Sequence, residues 1–266
     1  MKTINSIPHF GDKSEDVKTI QQILAEKGIA NLTIDGIFGN QTLKALKKLQ
    51  EKEGLVIDGI IGKNTMRVME VELRKYIDHS GKVTLSWDRQ GIDRNWTEIT
   101  LRSIEELFDT SFSKCDDISD FRKDYYSLSK EQRIIVWGEL ICAMAKFESN
   151  WKTICRYQET TQGIDSVTKR PVYSEGLLQL SYQDKPNYHF LQCDFNWEQD
   201  KNLKDNDPAK TIFNAQYNLE FGIRILAYQI RRKNSIALSS GLYWAVLKKG
   251  GERISQIAAM VNNLNF

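Results

Sequence analysis

The sequence predicts a mainly α protein in two parts, a small three-helix bundle followed by a larger, mostly helical domain. Apolar residues recur at steps of three and four along most of the chain. A glycine-turn motif occurs twice near the amino terminus, each copy followed by a helix pattern. A mixed polar stretch with broken rhythm then separates the two parts. With 266 residues, there is room for a small module and a medium domain. Domains are expected over 1–77 and 96–266, with 78–95 as the linker.

The first helix is expected from Ser14 to about Lys27, presenting Val17, Ile20 and Leu24 and stopping at Gly28. Next come "IDGIFGNQTLKAL" from Ile34 and "IDGIIGKNTMRVM" from Ile57, offset by 23 residues. In each, Asp-Gly favours a turn, the second glycine (Gly39, Gly62) permits close chain approach, and Asn40 or Asn64 is placed to cap the following helix. Those helices carry Leu43, Leu46 and Leu49 in one case and Met66, Met69 and Leu73 in the other. Beyond the linker, Ile104, Leu107 and Phe108 mark one helix and Arg133 to Asn150 a second. A third runs from Pro208, a good helix opener, to about Arg232 with Ile212, Leu219, Ile223 and Leu226. The last, Glu252 to about Asn262, carries Ile254, Ile257 and Val261, and the middle from Cys155 to Lys204 is irregular.

A formal net charge of +2 does not suggest a nucleic-acid partner held by bulk electrostatics. The first residues contain no apolar run of signal-peptide length, and Glu139 and Lys146 interrupt the most apolar stretch, so no membrane span is expected. Cys115, Cys142, Cys155 and Cys193 lack paired spacing and are expected as free thiols. His9, His79 and His189 are scattered singly, so neither a metal nor a cofactor is expected.

One carboxylate stands out. In a helix, Trp137, Ile141, Met144 and Glu148 fall on one stripe, which places an acid where the pattern reserves an apolar side chain. Desolvation raises a carboxyl pKa, and the helix carboxyl end disfavours negative charge. Both effects keep a proton on Glu148 near neutral pH, as a general acid requires. Pairing with Lys152 or Arg224 is the other way to house this carboxylate, and the segment alone does not separate the two.

Two resemblances bear on the choice. An amphipathic helix followed by two D-G-x-x-G-x-x-T turns, each leading into a helix, resembles the peptidoglycan-binding module of bacterial and phage cell-wall hydrolases over most of residues 10–73. Glu148-Ser149, then Gly176-Leu177-Leu178-Gln179, then the N-x-x-x-G spacing within "NAQYNLEFGIRIL" resemble, in order, motifs of the goose-type lysozyme and soluble lytic transglycosylase superfamily. Leu178 replaces the usual methionine, Glu175 stands where a small residue is common, and "LYWAVLKKGG" only loosely occupies the place of a terminal A-Y-N-x-G motif.

The resemblance implies a lysozyme-like second domain, an endolysin-like architecture, and cleavage of the β-1,4 bond between N-acetylmuramic acid and N-acetylglucosamine. Glu148 would protonate the glycosidic oxygen, and in a transglycosylase would also activate the muramyl 6-hydroxyl. Ser149 and Gln179 match positions lining the sugar groove. Tyr182, Tyr243 and Trp151 are candidates for stacking on sugar faces. Glu175 is the favoured second carboxylate, because it abuts the groove motif, with Asp165 as its alternative. The expected partner is peptidoglycan, acted on by a monomer. Without a signal peptide, the chain would reach the wall by holin release or by injection. A non-catalytic wall-binding protein and a chitinase-like hydrolase are the competing readings.

Overall fold

The computed structural model describes residues 2–4, 8, 10–73, 77–78, 81–92 and 95–264. His9, His79 and part of the expected linker lie outside them. The chain is mainly helical, its strands forming only two-stranded pairs among the described residues. It divides into two compact units, Met1–Lys75 and Tyr76–Phe266.

In the first unit, β1 (Lys2–Ile4) precedes three helices, α1 (Glu15–Glu26), α2 (Asn40–Lys52) and α3 (Lys63–Met69), and β2 (Val71–Leu73) pairs parallel with β1. Val17, Ile20, Leu24, Leu46, Leu49 and Met69 share one buried core. The periodicity foresaw this face. The caps differ: α2 and α3 are capped by Gly39 and Gly62 with no side-chain bond, so Asn40 and Asn64 are not caps. Leu73 lies in β2, because α3 ends at Met69.

The repeated turns are knitted by a glutamine that the sequence reading passed over. Gln21 Nε2 lies 2.8 Å from Asp35 Oδ1 and 3.1 Å from both the Ile37 carbonyl and Thr42 Oγ1, while its Oε1 accepts from Gly36 N–H at 2.9 Å. Gln50 repeats the pattern with Asp58, Ile60, Thr65 and Gly59. Both glutamines are buried, and each helix thereby latches the turn after it. The Asp, first Gly and Thr of each motif copy thus bind the bundle together.

The second unit holds β3 (Ile77–Asp78) paired antiparallel with β4 (Gly81–Lys82), then α4 (Ser86–Arg89), α5 (Trp96–Leu107), α6 (Lys130–Ser149), β5 (Arg156–Gln158) and β6 (Tyr173–Glu175). After these come α7 (Asp184–Asn187), α8 (Trp197–Asp200), α9 (Ala215–Lys233) and α10 (Glu252–Asn262). Leu85 and Trp87, within the expected linker, are fully buried, so these two side chains belong to the core of this unit.

The central element is α6, against which α5 and α10 pack, with α9 against α5. Every residue from Ile134 to Ala145 is buried, so α6 is apolar all round. It begins three residues before Arg133, because Ser129 and Gln132 form a reciprocal capping box. Pro208 does not open α9; it sits in an exposed turn, and Asn214 caps α9 by accepting from Gln216 and Tyr217 N–H. No helix among the described residues is long and apolar enough to cross a membrane. The four cysteines are free.

Candidate active site

Helix α6 carries Glu148 out of the core. Trp137, Ile141 and Met144 are fully buried, whereas Glu148, the last residue but one of α6, is only partly covered and lines a cleft of about 620 Å³. Asn150 (φ 52°) ends the helix, and Trp151 (φ 58°) folds back so that its indole N–H donates to the Cys142 carbonyl at 2.8 Å. Trp151 is therefore a packing residue, with Lys146 4.4 Å from its ring centre, and does not line the cleft.

Burial pushes the Glu148 carboxyl from its ordinary 4.5 up to about 7, and the charge of Glu159 adds to the rise. Neither expected cation partner reaches it. Arg224 points to Glu220 at 3.8 Å and to the Gln192 carbonyl at 3.3 Å, and Lys152 is exposed, with no ion pair to Glu148. The acid is thus held near neutrality by desolvation and a second carboxylate.

That second carboxylate is Glu159, which the sequence reading missed. It follows β5 directly, its N–H bonds to the Val172 carbonyl at 2.9 Å, and its side chain lines the same cleft as Glu148. Ser174, on β6, donates its hydroxyl to Glu159 Oε1 at 2.5 Å. Side chains alternate along a strand, so if Ser174 faces the cleft, Glu175 faces away.

Glu175 accordingly corrects the expectation of a second acid beside the glycine motif. It is buried against Arg156 Nε at 3.2 Å and Lys210 Nζ at 3.0 Å, in a separate cavity of about 20 Å³. Asp165, the alternative, is also buried and borders that cavity; its oxygens accept from the N–H groups of Val167, Thr168 and Gln183. It shapes a turn.

The glycine motif is a clamped turn. Gly176 has φ +83°, and a Cβ there would lie 2.2 Å from Asn218 Nδ2, so no other residue fits without displacement. Asn218 donates to the Glu175 and Ile212 carbonyls at 3.0 and 3.1 Å and accepts from Leu178 N–H at 2.7 Å. Four residues on, Gly222 gives Leu178 its space: a Cβ there would be 2.5 Å from Leu178 Cδ1. The N-x-x-x-G spacing on α9 is the seat of this turn.

The remaining expectations divide. Gln179 lines the cleft, but its Nε2 is spent on the Gly176 and Cys155 carbonyls at 2.8 and 3.3 Å. Tyr243 also lines it, its hydroxyl bonding to Asp184. Burial pushes Asp184 up to about 6 despite that bond. Ser149 departs from expectation: its hydroxyl turns back to the Ala145 carbonyl at 3.0 Å, satisfying itself within the helix. So does Tyr182, which is buried beside the smaller cavity, with its hydroxyl on Asp200 at 2.7 Å and its ring against Phe195 and Trp197. Neither Ser149 nor Tyr182 lines the cleft.

Residues 13–69 match the family model of a peptidoglycan binding domain. Among solved structures the chain is similar to Bd0314 DslA, wild-type form 2, with 27% identity and a TM-score of 0.54, covering 69% of this chain and 97% of that one. Two single glutamate-to-glutamine mutants of DslA match equally well, at 27% and 26% identity and the same TM-score. No curated protein matches significantly.

Proposed function

We propose that the chain is a peptidoglycan-degrading glycosidase, a wall-binding module joined to a lysozyme-like domain that hydrolyses the β-1,4 bond after N-acetylmuramic acid. The observation that carries this is Glu148, an acid without a cation partner, its carboxyl pushed up to about 7 by burial, in a cleft it shares with a second carboxylate. Spacing supports it: the two glutamates replaced in the DslA mutants are eleven residues apart in that chain, as Glu148 and Glu159 are here.

In this reading Glu148 gives its proton to the glycosidic oxygen as the C–O bond breaks. Glu159, oriented by Ser174, takes a proton from the water that attacks the sugar carbon. The leaving sugar departs as a free hydroxyl, and solvent exchange returns Glu148 to its protonated form and Glu159 to its carboxylate. Glu159 favours hydrolysis over the transglycosylase outcome, which needs only one carboxylate. The binding module raises the enzyme's local concentration on an insoluble polymer. The substrate lies outside the cytoplasm, so the chain acts there.

Digestion of purified peptidoglycan followed by mass spectrometry tests the chemistry. Reducing muramyl ends are expected, and 1,6-anhydro ends would assign the transglycosylase reaction instead. Protein that binds wall fragments but never clears a cell-wall suspension would refute the enzyme reading in favour of a binding protein, and turnover of chitin oligomers alone would favour a chitinase.

A further inference from the structure

One wall of the Glu148 cleft is a connected group of aromatic rings. Tyr243 and Glu148 line the same cleft. The Tyr243 ring centre is 6.3 Å from that of Tyr188, which in turn is 6.0 Å from Tyr228 and 6.4 Å from Phe190. Phe190 and Tyr228 close the triangle at 4.8 Å. The platform thus joins the turn after α7 to α9, with Tyr188 between it and Tyr243.

Phe190 is 51% exposed although it is packed in this group and lines the cleft. A lone exposed phenylalanine needs no explanation. This one belongs to a supported surface, because Arg232 donates to the Tyr228 hydroxyl at 2.8 Å and sits 5.6 Å from its ring. A half-exposed apolar ring, held by neighbours, is organised before any ligand arrives. Nearby lining residues Gln183 and Asn187 carry amides. A pyranose presents this pair of demands, an apolar C–H face for a ring and a polar edge for amides.

We propose that Phe190 and Tyr228 form a distal subsite that stacks on a sugar ring of the glycan strand, away from the sugar whose bond Glu148 cleaves. The subsite rests on the glycosidase reading and deepens it by naming the part of the substrate that is held. It is continuous with the cleft, and its aromatic and amide chemistry fits the glycan itself.

The test uses the full chain with Phe190→Ala, Phe190→Leu and Phe190→Trp, on peptide-free glycan strands. Leu keeps apolar volume against Tyr228 but offers no ring face, so it separates stacking from packing. KM should rise roughly five- to ten-fold for Ala and Leu, with kcat within about two-fold, and Trp should restore the wild-type value. In the Glu148→Gln background, isothermal titration with the same strands should show the same loss of affinity. Unchanged KM and affinity in a wild type that cleaves would overturn the subsite and leave the glycosidase reading standing. A wild type that never cleaves, yet whose Glu148→Gln form binds strands less tightly when Phe190 is Ala or Leu, would overturn the glycosidase reading and keep the subsite. Lowered kcat with unchanged KM in the Phe190 variants would overturn the subsite.

Discussion

Replacing Glu148 by Gln should stabilise the second unit at pH 8 and leave its stability at pH 4 nearly as it was. Burial and Glu159 push the carboxyl from 4.5 to about 7 in the folded chain. In the unfolded chain the group titrates near its ordinary value. Between the two, the folded state holds a proton that the unfolded state has released, so stability is full below about pH 4.5 and is lost as the pH rises through 7. At 1.36 kcal/mol per pH unit the whole window amounts to roughly 3 kcal/mol. A carboxyl at a cleft wall is partly solvated, which brings the expected gain for Glu148→Gln at pH 8 to about 1–3 kcal/mol. All six tryptophans lie at position 87 or later, so their fluorescence during urea unfolding reports on the second unit alone. The quantity to compare is the variant-minus-wild-type difference at each pH, which cancels titrations common to both chains. An equal difference at pH 4 and pH 8, or a less stable variant at pH 8, would refute the reasoning, since it would mean that the carboxylate is paired.

Three further outcomes are expected. Activity on peptidoglycan should fall above about pH 7 as Glu148 loses its proton, and NMR titration of Glu148 in Glu159→Gln should give a lower midpoint because a repelling charge is gone; an unchanged or higher midpoint would separate the two groups. Ser174→Ala should lower kcat roughly ten-fold with the melting temperature nearly unchanged, since it removes a charge-assisted bond to Glu159, and full activity in that variant would show that the hydroxyl positions nothing. Glu175→Gln should destabilise the second unit by about 3 kcal/mol or more in urea, because Lys210, buried at 3.0 Å from it, loses its anion, whereas Glu159→Gln should cost less than about 1 kcal/mol; the reverse order would exchange their roles.

Glu148 was legible in the sequence because its signal is local: an acid at the end of an apolar helical stripe is desolvated wherever that helix packs. Glu159 carried no such mark. It sits in a polar stretch, one residue past a three-residue strand, and only the hairpin pairing of β5 with β6 brings it to the cleft. Glu175 misled for the same reason in reverse. Its neighbourhood to the glycine motif is real along the chain, but cross-strand register sets it opposite Arg156, on the face turned away. Ser149 and Tyr182 have groove-like sequence positions, yet each finds its hydrogen bond in the protein.

Periodicity, turn residues and the doubled motif were enough to determine two mainly helical parts, the buried faces of α1, α2 and α6, and the place of one acid on an apolar helical stripe. These depend on contacts within a few residues, where chain geometry leaves little choice. Which carboxylate faces that acid, which ones are neutralised by lysine and arginine, and which aromatic rings are left open to a ligand were decided only in three dimensions. Charges and rings act through space over a few ångströms, and the residues that supply them here are not chain neighbours: Glu159 is eleven positions from Glu148, and Arg156 and Lys210 are nineteen and thirty-five from Glu175.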